Sequence, residues 1–363
     1  MNKQKQTKTK PALKIVVAFD SFKGCITAEE ACNAAADGIG RVLPGAEVVK
    51  LPLSDGGEGL VECVRRMLPV VDVGLWVHGP LMDMTYCSYA MSPDGKTAYM
   101  EMAAASGLTL VPEDRRNPLL ATTYGVGEMI ADAISRGCSR IVMGIGGSAT
   151  CDAGEGMLEA LRDSGCLQTP CKFLVACDVA NPLYGENGAA YVFAPQKGAT
   201  PEQVAALDNR LRTFARKTEE AGIAPPAMAD RPGAGAAGGL GYAFLAYLNA
   251  ELRPGIDIIL DMVRFDEIVR HADLVITGEG KSDAQTMMGK VPCGVWKRCA
   301  KAGVSVWLLY GAVDDADSLL ASHFSLVRCI NENDLRPLDQ LLLPEVAKEN
   351  ICRTVRRLIG LIL

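Results

Sequence analysis

The sequence is poor in several residue types, and each scarcity closes off a class of function. Aromatic residues fill 6% of the 363 positions, so stacking platforms are few. Only three histidines occur, His78, His271 and His323, and none has a supporting motif. That leaves little for a zinc site or a histidine-activated nucleophile. No Cys-x-x-Cys pair occurs among the 13 cysteines, an odd number in a long chain. Residues such as Cys32, Cys63, Cys138 and Cys299 read as small buried apolar side chains in a reducing compartment. No run reaches the roughly 18–20 apolar residues of a membrane span. The polar stretch Met1–Lys14 is followed only by the apolar Ile15–Phe19, too short for a signal-peptide core. A cytoplasmic protein without a membrane partner is therefore expected. Positive charge is short as well: 37 Lys and Arg against 43 Asp and Glu give a net charge of −6. Nucleic acid is not an expected partner, and an anionic ligand needs local lysines or a bridging metal.

What the chain has in quantity is apolar residues, at 49%, and glycine, at 37. Its length suggests two domains. Short apolar runs bounded by Asp, Gly and Pro alternate with amphipathic stretches, the pattern of a parallel sheet covered by helices. Ile15–Asp20 and Ala46–Leu53 read as strands, with a helix from Ala28 to Val42 between them, opened by Thr27 as N-cap and Glu30 three residues on. Strands follow at Asp273–Thr277, Val304–Tyr310 and Phe324–Ile330, with helices through Gly294–Ala302 and from Pro344 to the end. Together they predict a flavodoxin-like doubly wound α/β sheet of five parallel strands, built from residues 14–72 and 265–363. Residues 73–264 are then an inserted α+β domain. In it, Met84–Ala90 and Thr97–Ala103 read as a hairpin around Pro93-Asp94-Gly95, and the strands Arg140–Ile145 and Phe173–Asp178 alternate with helices Thr123–Arg136 and Ala153–Ser164.

Three glycine motifs imitate nucleotide loops. Ala90–Thr97 and Val275–Ser282 each lack the first glycine of a Walker loop. Gly233-Ala234-Gly235-Ala236-Ala237-Gly238 matches G-x-G-x-x-G, but no strand precedes it. Leu240–Asn249, which follows, reads as a helix, so the run serves either an anion at a helix N-terminus, through Gly235 and Gly238, or close helix packing. Gly144-Ile145-Gly146-Gly147-Ser148-Ala149-Thr150 is better placed. A strand, a glycine loop with hydroxyls and a helix start are what backbone N–H groups need to hold an anion. Ser148 does not complete a G-x-S-x-G elbow, because Thr150 stands where glycine is required.

Acids and lysines gather after the strands: Asp20-Ser21-Phe22-Lys23-Gly24, Ser54-Asp55-Gly56-Gly57-Glu58-Gly59 and Gly278-Glu279-Gly280-Lys281-Ser282-Asp283. Cys177-Asp178-Val179 and Gln196-Lys197-Gly198 add to them from the insert. In a doubly wound sheet such loops share the carboxyl edge, where ligands bind. Carboxylates beside lysines and glycine amides suit Mg²⁺ and phosphate oxygens.

These segments, with Glu101-Met102-Ala103-Ala104-Ala105-Ser106-Gly107-Leu108 and Thr277-Gly278-Glu279-Gly280, closely resemble the bacterial glycerate kinases, in order from about Lys14 to Val313. The resemblance implies ATP-dependent phosphorylation of D-glycerate, usually at the 2-hydroxyl, with Mg²⁺, in a monomer or homodimer of two α/β domains. On that reading the γ-phosphoryl group passes in line in a cleft between the domains. Gly146, Gly147, Ser148 and Thr150, with Gly235, Gly238 and Glu279, bind the nucleotide, and Asp178 or Asp283 holds Mg²⁺. Lys23 and Lys197 meet the substrate carboxylate or the transferring group, and Asp20 or Asp55 takes the hydroxyl proton. A kinase for another small hydroxy acid, or one giving 3-phosphoglycerate, is the nearest alternative; a dinucleotide- or flavin-dependent oxidoreductase and a non-catalytic sensor are more remote. Two departures stand out. Only Gly165–Lys172 joins the helix ending near Ser164 to the next strand, where family members usually carry several tens of residues. Cys151-Asp152-Ala153 replaces the usual Asn-Asp-Gly.

Overall fold

A computed structural model describes residues 12–54, 56, 59–282, 289–313, 320, 322–332 and 334–361. The strands among them are β1 (Lys14–Phe19), β2 (Glu47–Lys50), β3 (Val71–His78), β4 (Met84–Met91), β5 (Thr97–Glu101), β6 (Arg140–Gly144), β7 (Lys172–Ala176), β8 (Glu251–Arg253), β9 (Leu274–Ser282), β10 (Val306–Val313) and β11 (Leu326–Cys329). The chain forms two compact units, one from the stretch up to Leu53 with that from Leu260 onward, the other Ser54–Ile259. Both boundaries fall earlier in the chain than the 72/73 and 264/265 read from the sequence. At the first, helix Leu60–Met67 lies on β4 and β5 of the second unit's sheet.

The first unit holds a five-stranded sheet in the order β11-β10-β9-β1-β2, with every neighbouring pair parallel. This is the 2-1-3-4-5 order of a flavodoxin-like sheet. β1 is covered on both faces, and Val16, Val17, Ala18 and Phe19 are fully buried. Helix Ala28–Gly40 starts at a complete capping box: Thr27 Oγ1 accepts from the Glu30 N–H at 3.2 Å, and Glu30 Oε2 accepts from the Thr27 N–H at 2.9 Å. Its Gly38 lies where a Cβ would come within 2.6 Å of the Cys352 carbonyl oxygen, so glycine lets this helix close on the C-terminal helix Pro344–Leu361. β9 is longer than its apolar core. Residues 278–282, read as a loop, continue the strand, because β10 pairs with it as far as Val313↔Ser282.

The second unit carries the six-stranded sheet β3-β4-β5-β6-β7-β8. β3, β4 and β5 are antiparallel, and β5 to β8 are parallel. The β4–β5 turn forms as the sequence indicates, with Gly95 at φ +68° and Asp94 Oδ1 accepting from Ser92 Oγ and the Lys96 N–H. The core of this sheet gathers Tyr89, Met100, Met129, Ile141, Val175 and Phe244. Cys32, Cys63, Cys138 and Cys299 are buried, and no disulfide joins the cysteines.

Candidate active site

The strand-end loops of the first unit come together in pairs. β1 and β9 are neighbours, with Phe19 opposite Gly278, so Asp20 and Glu279 occupy the next register positions. Both are buried. Asp20 Oδ1 accepts from the Ser21 N–H at 2.7 Å, and the Asp20 N–H donates to the Gly278 carbonyl at 3.0 Å. Glu279 Oε1 accepts from Ser282 Oγ at 2.9 Å. A tight turn from Phe22 to Ile26, with Gly24 at φ +74°, leaves Lys23 exposed. A Cβ at Gly280 would stand 3.0 Å from Phe22 Cα and 3.3 Å from the Lys23 nitrogen, so this loop lies directly against β9. Asp20, Lys23 and Glu279 thus share one stretch of sheet edge. Asp55 and Asp283, the other acids singled out here, lie outside the described residues.

In the second unit a cavity of about 450 Å³ is lined by Gly146, Gly147, Ser148, Asp178 and Lys197, with Phe193, Val179, Leu108 and Ala237 among its apolar wall residues. That volume falls in the usual range for a small-molecule site. The loop after β6 crosses beneath Ser106–Leu108: the Leu108 N–H donates to the Gly147 carbonyl at 2.8 Å and the Ala149 N–H to the Ser106 carbonyl at 2.9 Å. Gly147 takes φ +70°. The N–H groups of Gly146, Gly147 and Ser148 have no acceptor among the described residues.

Lys197, at the end of a short 3-10 turn, Pro195–Lys197, is 3% exposed. Its Nζ donates to Ser148 Oγ at 2.7 Å and to the Thr150 carbonyl at 2.7 Å. An ammonium carries three donors, so one proton has no protein acceptor among the described residues. No carboxylate there forms an ion pair with it. Burial pushes its pKa down from 10.5 to about 8, against the opposing fields of Cys151 and Asp152. Thr150 Oγ1 is also buried, with no partner among the described residues. A buried cation beside N–H groups without acceptors is the donor set that a multiply charged oxyanion requires.

Other residues turn out to be scaffolding. Asp152 is 2% exposed, and its Oδ2 accepts from the Thr123 N–H and Oγ1, both at 2.8 Å, and from the Gly156 N–H at 3.3 Å. Its Oδ1 accepts from the Gly154 N–H at 3.2 Å. It caps helix Glu155–Asp163 and ties it to the 123 turn. Glu101 does similar work, accepting from the Gly59 and Leu60 N–H groups at the start of helix Leu60–Met67. In the Gly233–Gly239 run, a Cβ at Gly235 would lie 2.1 Å from the Pro182 carbonyl oxygen, and one at Gly238 2.1 Å from that of Thr150. The Gly235 N–H donates to the Asn181 carbonyl at 2.9 Å, and the Gly238 carbonyl accepts from the Ala153 N–H at 3.0 Å. Close packing therefore accounts for both glycines, while Ala236 and Ala237 face the cavity. Ala237, Gly238 and Gly239 are left-handed in succession, breaking helix Ala236–Leu248 at its first turn. Asp178, exposed at the end of β7, accepts from the Gly255 N–H at 3.0 Å.

Phe193 carries no signal in the sequence, because a single apolar residue outside a periodic run has none, whereas Leu108 and Val179 lie in segments singled out there. Cys177, also on the cavity wall, has its thiol pushed up to about 11 by burial.

A flavodoxin-like parallel sheet and a second α/β unit with a cavity lined by a buried lysine and a glycine loop suit a small-molecule phosphotransferase better than an oxidoreductase. The family model for the "Glycerate kinase family" matches residues 15–164 and 162–363, and the chain belongs to that family. It is 39% identical to the glycerate 2-kinase of Escherichia coli (strain K12), over 95% of this chain and 97% of that protein. It is 44% identical to the glycerate kinase of Bacillus subtilis (strain 168), over 86% and 88%. A solved structure described as a glycerate kinase 2 of Salmonella typhimurium LT2 superposes with a TM-score of 0.82 at 38% identity, covering 97% of this chain and 98% of that one. The two parts of the family match meet at 162–164, where the short connection Gly165–Lys172 begins.

Proposed function

We propose that this kinase transfers the γ-phosphoryl group of ATP to the 2-hydroxyl of D-glycerate, in the cytoplasm. The observation that carries the nucleotide half is the pairing of buried Lys197 with the unused N–H groups of Gly146, Gly147 and Ser148. These donors bind phosphate oxygens, and Phe193 and Val179 offer apolar surface to the rest of the nucleotide. The residues suit a metal that arrives with the nucleotide, since no group of three or more His, Cys, Asp or Glu is placed to hold one among the described residues. Mg²⁺ characteristically uses one or two carboxylates together with phosphates and water, and Asp178 on the cavity wall supplies one. When bound, the ion offsets charge on the phosphate oxygens.

On the first unit's sheet edge, Asp20 is assigned the hydroxyl proton, Lys23 the glycerate carboxylate and Glu279 a polar contact beside them. Phosphoryl transfer draws mainly on positioning and charge, so donors and acids in fixed places suffice. Incubation with ATP, Mg²⁺ and each glycerate enantiomer, followed by phosphorus NMR, tests the reading. ADP and 2-phosphoglycerate from the D-enantiomer are expected, and Asp20→Asn and Lys23→Ala are expected to stop turnover while leaving the fold. An absence of ADP with either enantiomer refutes it, and a 3-phosphate product moves the acceptor position.

A further inference from the structure

The hydroxyl of Ser148 lines the cavity and accepts from Lys197 Nζ at 2.7 Å. We propose that Ser148 and Lys197 form a serine–lysine pair that gives this chain a second activity, the hydrolysis of small carboxylic esters through an acyl-serine. The sequence alone argued against a hydrolase because no histidine accompanies Ser148. The structure supplies a lysine as the base, 49 positions away in sequence and 2.7 Å away in space.

Three features support the pair. Lys197 is fixed by a second bond to the Thr150 carbonyl, which orients the amine as a third residue orients the base in hydrolytic triads. Ser148 is 9% exposed and lines the cavity, so a small ligand can reach it. In serine hydrolases of the chymotrypsin type, the oxyanion is held by the N–H of the nucleophile and that of a glycine two residues earlier. Here those groups are the N–H of Ser148 and of Gly146, both without an acceptor among the described residues.

The step balances without further reagents. Neutral Nζ takes the Ser148 proton as Oγ bonds to the ester carbonyl carbon, and the carbonyl electron pair moves to the oxygen facing the two N–H groups. Collapse breaks the bond to the alkoxide, which leaves with the proton from Nζ. Water then gives a proton to Nζ, attacks the acyl carbon and releases the carboxylic acid, and Oγ recovers its proton. The neutral amine is accessible because burial holds the lysine down to about 8. The charged and titratable groups around it are Asp152 and Cys151 on the following turn, and Cys177 and Asp178 at the end of β7.

The test uses the intact chain and needs no variant to begin. A fluorophosphonate probe followed by peptide mapping is expected to label Ser148, and p-nitrophenyl acetate to be hydrolysed at a rate that rises about tenfold from pH 7 to pH 9 as Lys197 loses its proton. ATP-dependent phosphorylation, which uses the charged lysine, is expected to fall over the same range. Ser148→Ala should lose the label and the hydrolysis; Ser148→Thr, which keeps a hydroxyl, should retain part of both if the first variant is misfolded. Absence of label at Ser148, or hydrolysis with a flat pH profile, overturns the assignment whether or not the same preparation phosphorylates glycerate.

Discussion

Replacing Lys197 by Met keeps most of the length and apolar stem of the side chain and removes its charge. Burial lowers the lysine from 10.5 to about 8, and at about 1.4 kcal/mol per unit this is about 3 kcal/mol by which the folded state disfavours the ammonium. Below pH 8 the group is charged in both states and the whole cost is present. Between 8 and 10.5 the native lysine loses its proton first, so the unfolded chain binds more protons and stability rises with pH. About 2 kcal/mol is recovered by pH 9.5. The Met variant escapes this cost but leaves the Thr150 carbonyl and the Ser148 hydroxyl without a donor, about 1–3 kcal/mol for each in the other direction. The ligand-free variant is therefore expected to lie within about 3 kcal/mol of the parent's stability at pH 7, with no kinase turnover. Urea unfolding at pH 7 and pH 9.5 is the assay. The parent should gain stability between these values and the variant should not, apart from changes common to both chains. A variant more than about 3 kcal/mol less stable at pH 7, or one with the parent's pH dependence, refutes the assignment of Lys197 as a costly buried charge.

Three further substitutions probe the cavity's frame. Ala153 stands at φ +55°, a conformation costly for a residue with a Cβ, so Ala153→Gly should stabilise the fold by about 1 kcal/mol in a denaturant titration. Gly238→Ala would place a Cβ 2.1 Å from the Thr150 carbonyl oxygen. It should destabilise by at least about 2 kcal/mol and, by moving that carbonyl, raise KM for ATP. Asp152→Ala strands Thr123 and the N–H groups of Gly154 and Gly156 and should cost about 2–4 kcal/mol in thermal unfolding. What folds at low temperature should keep its kcat, whereas a residue taking part in the chemistry would lose it.

The most legible parts of the fold were those fixed by local chemistry. The Thr27–Glu30 box, the all-apolar β1 and the Pro93-Asp94-Gly95 turn each declare themselves within a few residues. Pairing over long distances is what the sequence hid. Residues 278–282 have the Gly and Lys content of a loop and become strand only because β10 runs beside them. β3, interrupted by Gly74, is held by its eight pairs with β4. Gly146, Ser148 and Lys197 could each be singled out from their glycine surroundings, but the Ser148–Lys197 bond belongs to no motif. Nothing local marks Asp152 as a cap; its four hydrogen bonds, to Thr123, Gly154 and Gly156, do. Glycines 235 and 238 matched a dinucleotide pattern for an unrelated reason, the approach of two carbonyl groups.

The thiol on the cavity wall has a bearing on survival under oxidative stress. Peroxides react with thiolates, and a thiol near 11 is ionised at neutral pH in only about one molecule in ten thousand. Cys151, beside Thr150, is held up at about 11 by the same burial, and Cys32, Cys87 and Cys299 at about 12. A chain with 13 reduced cysteines would ordinarily look vulnerable to oxidant. Here the packing that builds the cavity also keeps the thiols nearest to it in their unreactive form, so catalysis should outlast the oxidation of more exposed sulfur.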